Sequence, residues 1–200
     1  MHSSVYPTQK IFRVLVEATS HPGRGYRLPT CRESDPWRTS LLAVAYTLLD
    51  HEVAFAFIGK NIMLAQQVYA ATKARQVAVE DAHYVIVEGN QSLGQLNNVN
   101  CGTSAYPDQG ATIIYALSND GREQQSPLTN VFLSGPGIKE PLNPQLTGLS
   151  IEELNNIHHL NGEYPLGIDC IFLNGDCQVM CIPRSTEIKI HQDKKWDMLP

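Results

Sequence analysis

The sequence predicts a single α/β domain, a mixed sheet with helices on both faces. Helix and strand patterns alternate through the first half of the chain, whereas strand patterns cluster in the second half. Alternation of the two element types is typical of a sheet that helices cover on both faces. The length of 200 residues fits one domain with a sizeable core, so we expect residues 1–200 to form one unit, with 192–200 as a flexible polar tail.

The first two helices are predicted from apolar spacing and from capping residues. Ile11 and Leu15 are four residues apart and therefore share one face of a helix over 8–19. The second helix begins at Asp35 and Pro36. Asp is a favourable N-cap, and the missing N–H of Pro costs nothing in the first turn of a helix.

The remaining elements follow from caps, turns and alternation. Ser150 and Glu153 have the spacing of a capping box, which predicts the start of a helix. After the first helix, the predicted helices are 36–50, 62–75 and 151–160, with a weak helical turn at 92–99. The predicted strands are 26–28, 52–58, 77–79, 84–87, 111–118, 131–133, 168–173, 178–182 and 187–190.

Composition excludes several classes of function. The net charge of −5, from 15 basic and 20 acidic residues, argues against nucleic-acid binding, which needs a basic face. No apolar run reaches the ~20 residues that cross a bilayer, and no secretory signal is recognisable, so we expect a cytoplasmic protein without membrane contact. The five unevenly spaced cysteines favour reduced thiols over a disulfide framework.

The most regular pattern, between residues 164 and 190, predicts a hairpin that carries two unusual polar residues. An Asn-Gly pair at 174–175 separates the two predicted strands and is a strong hairpin signal. Asp169 interrupts the first strand, which is otherwise apolar, and Arg184 lies just past the end of the second. A charge within an apolar strand requires a partner or a function.

The loop of this hairpin decides whether Asp169 and Arg184 meet. With residues 174–175 as the loop, the two are roughly 13 Å apart along the strand at ~3.3 Å per residue, too far for a direct pair. With residues 175–176 as the loop, Arg184 is a diagonal neighbour of Asp169. Two interpretations stay open: Asp169 caps backbone donors or pairs with a cation, or Arg184 presents its planar fork to a phosphate or phosphonate.

Other motifs point more weakly to chemistry. The segments 102–104 and 135–137 could bring backbone N–H groups to an anion, but structural turns that need glycine are the favoured interpretation of both. No P-loop, nucleophile elbow or His-Glu-x-x-His helix is present. The cysteine spacing does not predict a metal site. Nothing around Lys60 supports a Schiff-base lysine, so a solvated side chain is expected there.

Several segments of the chain form a specific set, although no single one is specific. The segments are Tyr164-Pro165-Leu166-Gly167-Ile168-Asp169, Ile182-Pro183-Arg184-Ser185-Thr186, Leu133-Ser134-Gly135-Pro136-Gly137-Ile138, the first helix with Pro22-Gly23, and Gly102-Thr103, Pro107 and Gly110-Ala111-Thr112. Together, over about 8–190, they resemble a known family, the PhnH subunit of the carbon–phosphorus lyase system.

The resemblance implies a bacterial cytoplasmic protein of phosphonate breakdown. Family members act with PhnG, PhnI and PhnL to exchange the adenine of ATP for an alkylphosphonate, giving ribose 1-alkylphosphonate 5-triphosphate. PhnJ later cleaves the carbon–phosphorus bond. Members form homodimers that join a larger core complex. Their fold is similar to the large domain of pyridoxal-phosphate-dependent transferases, yet no pyridoxal phosphate or other cofactor is expected, and ATP is a substrate of the complex.

The resemblance leaves the working residues open. Arg184, Asp169, Thr186 and Thr103 are the candidate substrate-binding residues, whereas no catalytic residue and no metal ligand is assigned. One hypothesis has the subunit hold a phosphorus group with Arg184. The alternative is a non-catalytic scaffold that assembles the complex. A stand-alone pyridoxal-phosphate enzyme is the outside alternative, and a cofactor absorbance band would reveal it.

Overall fold

The structure is a computed structural model that describes residues 5–29, 36–117, 130–144 and 149–191. Its helices are α1 (Val5–Ser20), α2 (Pro36–Leu48), α3 (Ile62–Thr72) and α4 (Ile151–Leu160). Its strands are β1 (Tyr26–Arg27), β2 (Ala54–Ile58), β3 (Arg75–Gln76), β4 (Tyr84–Glu88), β5 (Thr112–Ala116), β6 (Asn130–Ser134), β7 (Asp169–Leu173), β8 (Gln178–Ile182) and β9 (Glu187–His191). Short 3₁₀ turns occupy Val79–Asp81, Gln95–Asn98 and Pro107–Gln109.

The central sheet is mixed, as predicted. Its strand order is β1-β8-β7-β5-β4-β2-β3. The strands from β7 to β3 are parallel, whereas β8 and β1 are antiparallel to their neighbours. A separate antiparallel ribbon pairs β6 with β9. The parallel strands read as nearly continuous apolar runs because both of their faces are covered.

Helices lie on both faces of this sheet, which confirms the predicted fold class. On one face, α1, α2 and α3 bury apolar side chains against residues such as Phe55, Ile86 and Ile114. On the other face, α4 and the β6–β9 ribbon pack against residues such as Val85 and Ile113. Alternate residues of each strand therefore enter different cores, as the period of a strand requires.

Two predicted boundaries are wrong for local reasons. The predicted strand 77–79 is instead β3 at Arg75–Gln76 followed by a 3₁₀ turn, although the N–H of Val77 still donates to Phe55 of β2. The helix predicted to reach residue 75 ends at Thr72, because Lys73 is left-handed, with φ +63°, and its N–H returns to the carbonyl of Tyr69. The Asp35 cap and the tail 192–200 lie outside the described residues.

The expectation that all cysteines are reduced is also wrong. Cys177 is disulfide-bonded. Cys101, Cys170 and Cys181 are free thiols. Uneven spacing and an odd count do not exclude a single bridge, because pairing depends on the distance between the Cα atoms in the fold rather than on sequence separation.

Among the described residues, no helix is both long enough and apolar enough to cross a membrane.

Candidate functional site

The hairpin between β7 and β8 has a loop one residue longer than either alternative predicted from the sequence. The strands pair Cys170 with Ile182 and Leu173 with Val179. The loop is therefore 175–177, and its last residue, Cys177, is left-handed with φ +59°. A type I turn followed by a left-handed residue is a common three-residue hairpin connection. Both predicted two-residue loops are wrong.

Asn174 explains the longer loop. Its Oδ1 accepts hydrogen bonds from the N–H groups of Asp176, at 3.0 Å, and Gln178, at 2.9 Å. Such an Asx turn lets the side chain replace a backbone acceptor. The Asn-Gly signal correctly predicted a hairpin, but the side chain of Asn174 shifts the register that a two-residue turn would give.

The observed register brings Asp169 and Arg184 together. Oδ1 of Asp169 accepts from the backbone N–H of Arg184 at 2.9 Å. Its Oδ2 accepts from Nε at 3.1 Å and from Nη2 at 2.7 Å. Asp169 therefore both caps a backbone donor and pairs with a cation, which confirms the structural interpretation of this carboxylate.

The rest of the guanidinium is committed to the loop that precedes β5. Nη1 of Arg184 donates to the carbonyl of Pro107 at 2.6 Å, and Nη2 donates to the carbonyl of Gly110 at 3.1 Å. An arginine side chain has five N–H donors. Most of them are used inside the protein, and the side chain is only 13% exposed. We call Asp169, Arg184 and the loop 107–110 the Asp169–Arg184 clamp.

Glycines permit the close approach around this clamp. A Cβ on Gly110 would overlap the carbonyl oxygen of Gly167 and lie 2.5 Å from Nη1 of Arg184. Gly167 itself has φ +133°, and a Cβ there would overlap the side chain of Asn161. Asn161 in turn accepts the N–H of Ile168 at 2.7 Å. The segment before β7 therefore packs backbone to backbone against the loop before β5.

The other motifs that carried the resemblance converge on the same edge of the sheet, beside the amino ends of β5 and β7. The N–H of Gly23 donates to the carbonyl of Cys181 at 3.1 Å. A Cβ on Gly135 would lie 2.9 Å from the carbonyl oxygen of Ser185, and one on Gly137 would overlap that of Ser20. Loops far apart in sequence thus meet around the segment 182–186.

The structure joins two of the four candidate residues and leaves two apart. Thr103 is exposed and closes a turn in which its Oγ accepts from the N–H of Tyr106 at 3.1 Å. Thr186 is 4% exposed, and its N–H donates to the carbonyl of Pro183 at 2.9 Å. The buried Oγ of Thr186 has no hydrogen-bond partner among the described residues. Binding roles for all four residues stay predictions.

A second polar cluster, on the opposite face of the sheet, was missed by sequence reasoning. Glu153 of α4 is 5% exposed. Its Oε2 accepts from the N–H and Oγ of Ser92, both at 3.1 Å, and its Oε1 accepts from the hydroxyl of Tyr115 at 2.7 Å. Burial raises the pKa of Tyr115 well above its usual value, and Cys170 and Glu153 raise it further, so this hydroxyl stays a donor.

The capping-box signal concealed that role of Glu153. The Oγ of Ser150 accepts from the N–H of Glu153 at 3.1 Å, as the motif predicts. The Glu153 carboxylate, however, turns into the core instead of returning to the N-cap backbone. An acidic residue at that spacing has the same sequence signature in both arrangements. The described residues contain no cluster of three His, Cys, Asp or Glu that could hold a metal ion.

Comparison with known proteins gives two matches. The family of bacterial phosphonate metabolism proteins described as PhnH matches residues 1–189. A putative C-P lyase subunit protein, HtxG of Stutzerimonas stutzeri, is 31% identical over 182 residues, which cover 91% of this chain and 86% of that protein.

Proposed function

This chain belongs to the PhnH family of bacterial phosphonate metabolism proteins, and from that premise we propose that it is a subunit of a carbon–phosphorus lyase complex. The observation that carries the proposal is the extent of the family match, which covers 189 of 200 residues. The name of the relative HtxG supports the same assignment. In the described fold, Gly110, Gly135 and Asp169, from three of the family segments, lie against the segment 182–186.

The proposed reaction is the exchange of adenine on ATP for methylphosphonate. Its product is α-D-ribose 1-methylphosphonate 5-triphosphate, and adenine is released. In this proposal the chain works in the cytoplasm as a homodimer with the PhnG, PhnI, PhnJ and PhnL subunits, and PhnJ later cleaves the carbon–phosphorus bond. ATP is a substrate of the complex, and no pyridoxal phosphate takes part.

Within that complex, the clamp geometry favours a scaffold role for Arg184 over phosphorus binding. The guanidinium makes four hydrogen bonds to protein oxygens: two to Asp169 and one each to the carbonyls of Pro107 and Gly110. The carboxylate neutralises its charge at 2.7 Å. A phosphonate would have to displace these partners, whereas an anion site normally offers donors that are free to bind.

The proposed subunit role is tested by adenine release. Purified PhnG, PhnI and PhnL are incubated with ATP and methylphosphonate, with and without this chain, and adenine is quantified by chromatography. We expect release to depend on this chain. Equal release in its absence would refute the subunit role, and co-purification would then be the way to find what the chain binds.

Two variants separate the scaffold role from phosphorus binding. Arg184→Ala and Asp169→Ala each break the clamp, but only the first removes a cation. If the clamp is structural, both variants lower stability, and Arg184→Ala leaves the product formed per assembled complex within about twofold of wild type, below ~0.5 kcal/mol in activation free energy. A loss of product confined to Arg184→Ala, with normal assembly, would instead favour phosphorus binding.

A further inference from the structure

A cavity of about 330 Å³ lies between α1 and the amino edge of the parallel strands. Its volume is at the lower end of the ~300–1,000 Å³ typical of small-molecule sites. Apolar side chains of α1 form one wall, and Phe12 and Val16 are half-exposed there. Leu48, from the end of α2, and Ile171 of β7 close the inner part.

A row of polar side chains crosses the opposite wall. Tyr84, Thr112 and Asp169 are the first residues of β4, β5 and β7, and the parallel register places them side by side. All three line the cavity. Within the described part of the chain, the hydroxyls of Tyr84 and Thr112 make no side-chain hydrogen bond. Burial, and then Asp50, raise the pKa of Tyr84, so its hydroxyl stays protonated and can donate or accept.

Charge makes this cavity unsuitable for an anion. Among its described lining residues there is no Lys, Arg or His, and the one carboxyl group is that of Asp169. Arg184 reaches that carboxylate, but the rest of its donors point to the loop 107–110. The Asp169 carboxylate accepts three hydrogen bonds from Arg184 and is 37% exposed, so one lone-pair position remains for a donor from the cavity.

We propose that this cavity binds an uncharged, flat ring that carries N–H donors, and not a phosphate or phosphonate group. The apolar walls would cover the faces of the ring. At one edge of the ring, Asp169 would accept a hydrogen bond, and the hydroxyls of Thr112 and Tyr84 would donate or accept one. Adenine belongs to this chemical class, and the choice of adenine rests on the proposed function, in which that base is released. The triphosphate of ATP would lie outside the cavity.

Calorimetric titration of the whole purified chain with adenosine tests the inference. Inorganic phosphate and methylphosphonate are the competitor anions. Val16→Trp adds bulk at the mouth from a half-exposed helix position, so it can block the cavity without overpacking the core. Thr112→Val and Tyr84→Phe each remove one hydroxyl and keep the shape of the side chain. Tyr46→Phe, at an exposed tyrosine outside the cavity, is the matched control.

We expect saturable adenosine binding that the anions do not compete for. Thr112→Val and Tyr84→Phe should each weaken it roughly 3- to 10-fold, as loss of one neutral hydrogen bond does, Val16→Trp should abolish it, and Tyr46→Phe should leave it unchanged. No saturation below about 10 mM adenosine, competition by phosphate, or unchanged binding in Val16→Trp would overturn the inference. Adenine release that still depends on the chain would then leave the proposed function intact.

Discussion

Two carboxylates on opposite faces of the sheet hold loops to strands by different means. Asp169 is 37% exposed and faces a guanidinium. Glu153 is 5% exposed, and its hydrogen-bond partners are a backbone N–H and two hydroxyls. The first is an ion pair at an edge that water reaches, and the second is a buried carboxyl group held by neutral donors.

The two carboxylates differ in whether water can take the place of a hydrogen-bond partner that is removed. A polar group at the edge of the sheet can be rehydrated when its partner is removed, whereas a donor in the core cannot. We therefore expect the buried cluster to be the more sensitive of the two, although several of the segments that resemble the family meet at the edge. The residues that carry the resemblance to the family are therefore not those that we expect to contribute most to stability.

The largest expected effect is that of Glu153→Leu. This change leaves the N–H of Ser92 and the hydroxyl of Tyr115 without an acceptor inside the core. Each unsatisfied group costs about 1–3 kcal/mol of stability. We expect urea unfolding to show a loss of roughly 2–6 kcal/mol in the free energy of unfolding. Glu153→Gln should lose less, because its amide oxygen still accepts from Ser92 and the Tyr115 hydroxyl can accept from its amide nitrogen.

The exposed neighbour in the same helical turn is the matched control. Glu152→Leu changes the same residue type without touching the cluster, so its unfolding midpoint should stay close to that of wild type. Equal losses in the Glu152 and Glu153 variants would contradict the assigned role of the cluster.

Arg184→Ala should have the next largest effect. It removes the partner of Asp169 and the donors to two carbonyls, but the exposure of Asp169 allows water to replace part of what is lost. Breaking a fully buried pair costs ~3–5 kcal/mol, so we expect about 2–3 kcal/mol here, measured by urea unfolding. Arg184→Lys should restore only a part of the lost stability, because an ammonium group cannot reproduce the planar fork of the guanidinium.

A surface pair provides the comparison for that result. Lys189 and Glu187 lie 3.3 Å apart, but both are more than half exposed. Lys189→Ala should therefore leave the unfolding midpoint nearly unchanged. A loss as large as that of Arg184→Ala would show that burial is not what distinguishes the clamp.

Gly110→Ala tests the packing of the clamp without removing any charge. The added methyl group would overlap the carbonyl of Gly167 and press on the guanidinium of Arg184. We expect a loss of about 1–3 kcal/mol, typical of overpacking, in thermal or urea unfolding. Gly25→Ala is the control, because its methyl group would meet only the flexible end of Gln178. Similar stability of the two variants would argue against close packing at Gly110.

The smallest expected effect is the pH dependence at Glu187. Hydrogen bonds from Ser134 and Lys189 lower the pKa of this exposed carboxyl. Because the pKa is lower in the folded protein, the stabilisation is present above the unfolded pKa and is lost as pH falls through the folded value. Ser134→Ala should slightly flatten the acid side of the stability curve between about pH 5 and 3. An unchanged curve would show that this hydrogen bond has no net effect.

The sequence predicted most of this fold because its signals are local. Apolar periodicity located α1 around Ile11 and Leu15, and the capping box located the start of α4 at Ser150. The hairpin register was wrong because the Asn174 side chain, and not the Asn-Gly backbone preference, sets the loop length. The Glu153 cluster was missed because Ser92 and Tyr115 are distant in sequence, and only the tertiary fold brings such partners together.

The most direct test of the clamp is a double-mutant cycle of Asp169→Ala and Arg184→Ala, followed by urea unfolding. If the two side chains stabilise the fold through their mutual contact, the double variant should lose less stability than the two single variants together. We expect this difference to be about 1–3 kcal/mol in the free energy of unfolding. Losses that add within ~0.5 kcal/mol would contradict the account, because the two residues would then act independently despite their 2.7 Å contact.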